Sequence, residues 1–232
     1  MASFEPLFAL SLIFGDVNQN VFVISGLGAD DTVFKKLVLP GYTLVHIQWV
    51  TPDNKDTLAT YAQKLLPQIT EENPIVLGLS IGGMLAVEVG KQIPTRKVIS
   101  LSSITGRSEL PLYFKFAGFC RMQKILPLFA FAKGNRLTHW FFGVKTDDDR
   151  IVLNQVLKDL DRHFLYWALN AILNWDNQVL PSNLIRIHGT NDHVLPKHKK
   201  GNYLALIDNG SHLMLLDRSQ KVSEVILTAI KM

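Results

Sequence analysis

The stretch that most constrains the fold is residues 73–83, where a short apolar run leads directly into closely spaced glycines around one serine. Residues 75–77, Ile-Val-Leu, form the kind of run that is typical of a parallel strand covered on both faces. The pattern Gly-x-Ser-x-Gly follows at once with Ser80 at its centre, and residues 84–89 continue as a helical segment. The stretch therefore predicts a strand, an abrupt turn that holds the Ser80 hydroxyl clear of the backbone, and a helix.

The rest of the chain alternates between short apolar runs and helical segments, which is typical of an α/β fold with a mostly parallel sheet. Further strands are predicted at residues 20–24, 42–47, 96–101, 184–188 and 203–207. Helices are predicted near 32–37, from 56 or 57 to about 69, from the serine turn to about 92, from 147 to 160, and from 219 to about 230. An apolar run at residues 7–14 is interpreted as an additional first strand, because it lacks a preceding Lys or Arg and is too short to span a bilayer.

The alternation stops between residues 107 and 176, a stretch with a helical pattern and many aromatic side chains. We predict that residues 107–176 are an inserted helical cap, or lid, and that residues 1–106 and 177–232 form the core. Most of the aromatic residues should build the cap's own core, and a minority could line an apolar pocket over Ser80. A membrane-surface role for residues 110–132 is less favoured, since Pro111 and Pro127 interrupt a long amphipathic helix.

Composition limits the class of protein and its partners. The 232 residues are 47% hydrophobic and 19% charged, as expected for a globular chain. Cys120 is the only cysteine, so a disulfide framework is impossible and a reducing, cytoplasmic compartment is expected. The net charge is +4, and the one dense basic cluster, residues 197–200, is interpreted as a solvated loop. We expect no nucleic-acid partner, no stable membrane insertion, no cofactor and no metal, and the oligomeric state stays open.

Three polar residues follow the ends of separate predicted strands: Ser80, Asp192 and His212. Because the carboxyl ends of parallel strands lie at one edge of a sheet, these side chains should meet there. A serine hydroxyl needs an adjacent base to act as a nucleophile, and a histidine base needs a carboxylate that orients its ring. Asp208 is a weaker choice for the acid because it lies too near the histidine loop.

A glycine-rich turn at residues 25–30 follows the strand at 20–24. It is a poor match to a dinucleotide-binding loop, because Asp31 stands where the third glycine of such a loop would be. We favour another role for this turn, in which its glycines let the backbone come close to a substrate carbonyl. We therefore expect the amides of Leu27 and Ile81 to form an oxyanion hole beside Ser80.

These motifs resemble the α/β-hydrolase superfamily. The resemblance is carried by G-L-S-I-G around Ser80, by H-G-T-N-D-H-V-L-P around Asp192, and by N-G-S-H-L around His212, in the chain order serine, acid, histidine. It implies a sheet with helices on both faces, Ser80 as nucleophile, His212 as general base and then acid, and Asp192 as the orienting carboxylate. Three departures weaken the match. Ser25-Gly26 stands where the family often has His-Gly, residues 48–52 replace a glycine-containing turn found in many members, and the N-terminal strands are abbreviated.

The function expected from this resemblance is hydrolysis of an ester or thioester through an acyl-enzyme. The aromatic residues of the predicted cap indicate a small, apolar acyl or aryl substrate. Two alternatives remain open. One is an acyltransferase or a carbon–carbon bond enzyme on the same fold, since this fold supports many reactions. The other is a non-catalytic receptor for a small molecule.

Overall fold

The computed structural model describes residues 19–119 and 134–232. Its centre is a six-stranded parallel sheet in the order β2-β1-β3-β4-β5-β6. The strands are β1 (Gln19–Ile24), β2 (Tyr42–His46), β3 (Ile75–Leu79), β4 (Lys97–Leu101), β5 (Leu184–Gly189) and β6 (Ala205–Ile207). All the predicted strands within the described ranges are present, whereas the strand predicted at residues 7–14 lies outside them.

The helices of the described residues surround this sheet and fill the interval between β4 and β5. They are α1 (Leu58–Leu65), α2 (Ile81–Gln92), α3 (Leu112–Phe119), α4 (Arg136–Phe142), α5 (Asp147–Asp159), α6 (Arg162–Leu173), α7 (Met214–Asp217) and α8 (Ser219–Lys231). The helix predicted near residues 32–37 is instead a single 3-10 turn, Asp31–Phe34. The segment considered for a membrane surface, residues 110–132, lies mostly outside the described residues.

Side chains alternate between the two faces of the sheet, and each face has its own apolar core. In β1, Phe22 and Ile24 pack on the side of α1, α2 and α6, whereas Val21 and Val23 pack on the side of α5, α7 and α8. Both faces of this strand are therefore buried, which explains its continuous apolar sequence. The sheet is positioned between two layers of helices.

The strand order reverses direction at β1, because β2 lies on one side of it and β3 on the other. The loops after β1 and β3 therefore diverge and leave a crevice at the carboxyl edge of the sheet. The loop after β1 carries Leu27 and the turn after β3 carries Ser80. This edge is where the fold leaves room for a ligand.

None of the helices within residues 19–119 and 134–232 is both long and apolar enough to cross a bilayer. The cytoplasmic location expected from the single cysteine stays a prediction.

Candidate active site

Ser80 occupies a strained turn between β3 and α2, with φ 57° and ψ −120°. The surrounding backbone holds it there. The Ser80 amide donates to the Leu101 carbonyl at 2.9 Å, and the Ser80 carbonyl accepts from the Ser103 hydroxyl at 2.6 Å. These bonds tie the turn to β4 and to the segment that follows it, so the unfavourable conformation is fixed by its neighbours.

Two glycines allow α2 to pack this closely. A Cβ atom at Gly78 would lie 2.0 Å from the Gly82 carbonyl oxygen, and one at Gly82 would lie 2.2 Å from the Ile24 carbonyl oxygen. Both contacts are with backbone, which cannot move aside as a flexible side chain could. The glycines of the Gly-x-Ser-x-Gly pattern are therefore needed for the approach of α2 to β3 and β1.

Ser80, His212 and Asp192 lie in one chain of contacts. The Ser80 Oγ is 3.0 Å from His212 Nε2, and His212 Nδ1 is 2.9 Å from Asp192 Oδ2. Because a carboxylate only accepts hydrogen bonds, Nδ1 carries the ring hydrogen and Nε2 is free to accept from the serine hydroxyl. The structure thus brings together the three side chains that the sequence placed at three strand ends.

Asp192 is buried and fully hydrogen-bonded. Its Oδ1 accepts from the amides of Val194 and Leu195, both at 2.9 Å, while its Oδ2 faces His212. Burial raises the pKa of this carboxyl, but the charge of His212 and the hydrogen bonds from His188 and His212 outweigh it and hold the pKa below its ordinary value. The carboxylate form is therefore the stable one at this position.

His188 lies close to the carboxylate of Asp192, a contact that the sequence did not predict. Its Nε2 is 3.4 Å from Asp192 Oδ2 and 2.7 Å from the Leu195 carbonyl oxygen. It stands at the end of β5, four residues before Asp192. The four-residue spacing between His188 and Asp192 was the only indication of this contact in the sequence. The sequence did not show that the loop after β5 folds back over the end of the strand.

A cavity of about 110 Å³ opens beside Ser80. We call it the serine cavity. Among the described residues that line it, only Ser80 and His212 have polar side chains. The helices between β4 and β5 supply much of its wall: Phe114, Phe142, Val152, Leu153, Val156, Leu157, Leu169 and Ile172.

Leu27 and Ile81 also line the serine cavity. Ile81 is the first residue of α2, where amides point away from the helix and the helix dipole is positive. In the part of the chain that the structure describes, neither amide donates to a backbone carbonyl. The oxyanion hole expected at these two amides stays a prediction.

A hydrogen bond joins α3 to the loop that carries Asp192. The Tyr113 hydroxyl lies 2.9 Å from the His193 carbonyl oxygen and 2.8 Å from that of Val194. Burial, together with the charge of Asp192, raises the pKa of Tyr113 to about 12, so the hydroxyl keeps its hydrogen and donates to these carbonyls. The Phe142 ring meets the His212 ring edge to face, with the ring centroids 5.8 Å apart.

Within residues 19–119 and 134–232, no group of three or more His, Cys, Asp or Glu side chains is arranged to hold a metal ion. The expectations of no metal and no cofactor stay predictions.

Many solved structures share this architecture. An esterase from Exiguobacterium antarcticum superposes with a TM-score of 0.65 at 17% identity, covering 92% of both chains. The enol-lactonase from Burkholderia xenovorans LB400 gives a TM-score of 0.68 at 14% identity, again covering 92% of both chains. A carboxylesterase structure from Nitrososphaera gargenis gives 0.70 at 11% identity, covering 94% of this chain and 91% of the other. No protein-family model and no curated protein sequence matches the chain. At these identities the likeness concerns the fold.

Proposed function

We propose that this chain, which has the α/β-hydrolase fold, hydrolyses an ester or thioester with a small apolar acyl group, using Ser80 as nucleophile. The observation that carries the proposal is the contact chain from Ser80 through His212 to Asp192, set at the mouth of an apolar cavity. A serine, a histidine and a buried carboxylate in this order supply a nucleophile, a base and a group that orients the base.

In the proposed mechanism, His212 Nε2 takes the hydroxyl proton as Ser80 Oγ bonds to the substrate carbonyl carbon. The carbonyl oxygen becomes an oxyanion, which the amides of Leu27 and Ile81 stabilise. His212 then donates its proton to the leaving alcohol or thiol as the carbon–oxygen or carbon–sulfur bond breaks. Water attacks the acyl-enzyme with His212 again as base, which releases the acid and restores Ser80.

Asp192 keeps the His212 ring in the required orientation and stabilises the positive charge that the ring acquires. Its lowered pKa supports this role, because the carboxylate stays charged in mildly acidic solution. Its two amide donors, from Val194 and Leu195, fix the carboxylate plane.

The substrate class follows from the cavity wall. With apolar side chains around Ser80 and His212, a charged acyl group would lose its hydration without finding a partner. We assign residues 107–176 as a cap over this cavity, since α4, α5 and α6 contribute Phe142, Leu157, Leu169 and other wall residues. The substrate is therefore a small molecule whose acyl group carries no charge.

The test is labelling with a fluorophosphonate probe and turnover of p-nitrophenyl butyrate and a butyryl thioester. We expect wild type to label and to turn over at least one substrate. Ser80→Ala should lose labelling, and Ser80→Ala and His212→Ala should each lower kcat by roughly 10⁴-fold or more. Ser182→Ala is the matched control, since this serine is exposed in the turn before β5.

If the folded wild type neither labels nor turns over any of these substrates, the proposal is wrong. Labelling that persists in Ser80→Ala would also contradict it. The rate ratio between ester and thioester separates the two substrate types.

A further inference from the structure

A second cleft lies on the surface next to the serine cavity. It has a volume of about 270 Å³, and its wall includes Gly28, Trp49, Pro52, Leu160 and Phe164. Leu160 lines both spaces, and Gly28 lies between Leu27 and Ala29, which face the serine cavity. The cavity and the cleft are therefore back to back, with the Leu160 side chain at their boundary.

The position of Leu160 is fixed by the elements on either side of it. It connects the end of α5 to the start of α6, and its backbone is extended at φ −63° and ψ 112°. The next residue, Asp161, caps α6 by accepting a hydrogen bond from the Phe164 amide at 2.8 Å. The corner is thus held by its cap, and Leu160 projects from it toward the loop after β1.

Gly28 completes the boundary from the opposite side. Its φ is +68°, and a Cβ atom there would lie 2.5 Å from Leu160 Cδ1. The absence of a side chain at Gly28 lets Leu160 pack directly against the loop backbone. Among the described residues, the Leu160 side chain is therefore the only side chain that separates the two spaces at this point of the boundary.

The cleft continues the apolar surface of the serine cavity. Trp49 and Phe164 form one wall with ring centroids 4.9 Å apart, and the Trp49 indole is held by donating to the Ala29 carbonyl at 3.0 Å. Polar residues stand at the rim, where Asp159, Asp161 and His163 also line the cleft. An apolar floor with a polar rim suits a hydrocarbon chain whose far end approaches water.

We propose that Leu160 determines acyl-chain length by closing the serine cavity against this cleft. The inference rests on the proposed hydrolase function. An engineered apolar cavity of about 150 Å³ holds benzene, so the serine cavity of about 110 Å³ holds an acyl group of roughly four carbons. Removing the Leu160 side chain joins the two spaces and gives a longer chain a path from Ser80 into the cleft.

The experiment measures kcat/KM for p-nitrophenyl butyrate and octanoate in wild type, Leu160→Ala and Leu169→Ala. Leu169 is the matched control, because it lines the serine cavity but not the cleft. Each additional buried methylene contributes about fourfold. We expect wild type to prefer butyrate, Leu160→Ala to raise the octanoate-to-butyrate ratio by about tenfold or more, and Leu169→Ala to raise it by less than about threefold.

Equal ratios in Leu160→Ala and Leu169→Ala would overturn the inference, as would a wild type that already prefers octanoate. Leu160→Val provides a smaller truncation if the alanine variant does not fold, and it should give an intermediate ratio. Fluorophosphonate labelling of every variant separates the two levels of the argument. Labelled, active variants with an unchanged profile contradict only the role of Leu160, whereas an inert wild type contradicts the hydrolase proposal itself.

Discussion

His188 lies near the same carboxylate oxygen, Asp192 Oδ2, that His212 contacts in the proposed triad. Its Nε2 lies 2.7 Å from the Leu195 carbonyl oxygen, and since a carbonyl only accepts, this nitrogen carries the hydrogen. The same N–H is 3.4 Å from Asp192 Oδ2. The Tyr203 ring covers the imidazole edge to face at 5.4 Å, so the ring is held in place. We infer that His188 is a positioning residue for the carboxylate and its loop.

Replacing His188 tests this role through the balance of kcat and KM. We expect His188→Leu to lower kcat roughly tenfold with little change in KM, because it removes a hydrogen bond donor to a charged group and His188 itself does not line the serine cavity. His188→Gln keeps an N–H donor and should recover much of the loss. Steady-state kinetics with p-nitrophenyl butyrate provide the measurement. If kcat of His188→Gln is as low as that of His188→Leu, the shape of the imidazole ring and not its N–H donor is what supports catalysis.

The turn between β3 and α2 is the element on which the site depends, and Gly82 of α2 packs directly against the backbone at the end of β1. We expect Gly82→Ala to lower the free energy of unfolding by about 3 kcal/mol, because its Cβ would meet the Ile24 carbonyl oxygen at 2.2 Å and displace α2 from β1. Urea denaturation followed by circular dichroism measures the change. Gly26→Ala is the control, since its Cβ would make ordinary contacts of 3.7 Å or more, and its stability should change by less than about 1 kcal/mol. Equal effects of the two substitutions would contradict the steric argument.

Local sequence predicted most elements because their signals are local. The helix after Ser80 ends at Gln92 as predicted, and the helix at Asp147–Asp159 begins after Thr146, whose side chain accepts from the Asp149 amide. The predicted contact of Ser80, Asp192 and His212 followed from strand ends in a parallel sheet. A short pattern was sufficient for each helix, whereas the contact of the three side chains needed the common edge of a parallel sheet as well.

The features that sequence did not predict depend on distant contacts. We predicted a helix near residues 32–37, but the structure has only a short 3-10 turn at Asp31–Phe34. The sequence did not show which residues would pack against this segment, and therefore did not show where it would end. The buried pair of Arg186 and Glu109, 2.7 Å apart, joins β5 to the segment after β4 across 77 positions. The separation of the serine cavity from the cleft by Leu160 also depends on a distant contact, because the loop after β1 must meet the corner between α5 and α6.

At the scale of the whole molecule, the helices assigned to the cap share both cores of the sheet. Phe164 and Trp167 of α6 pack in the core that contains α1 and α2, whereas Leu153 and Leu157 of α5 pack in the core on the other face. Glu88 of α2 also accepts a hydrogen bond from the Trp175 indole at 2.6 Å. Among the described residues, the proposed cap has no core of its own. Its boundary is therefore defined by its position in the chain between β4 and β5, and not by a gap in the packing.

This sharing predicts that core and cap unfold together. Trp140, Trp167 and Trp175 lie in residues 107–176, so tryptophan fluorescence follows mainly the proposed cap, whereas far-ultraviolet circular dichroism follows all helices and strands. Because α5 and α6 cannot leave without exposing both faces of the sheet, we expect the two signals to give one urea transition with midpoints that agree within about 0.2 M. Trp49→Phe is the useful comparison, since it removes the one tryptophan outside the cap stretch. A fluorescence transition with a midpoint at a clearly lower urea concentration than the dichroism transition would mean that the cap detaches first. The two shared cores would then contribute less to holding the cap on the sheet than their burial implies.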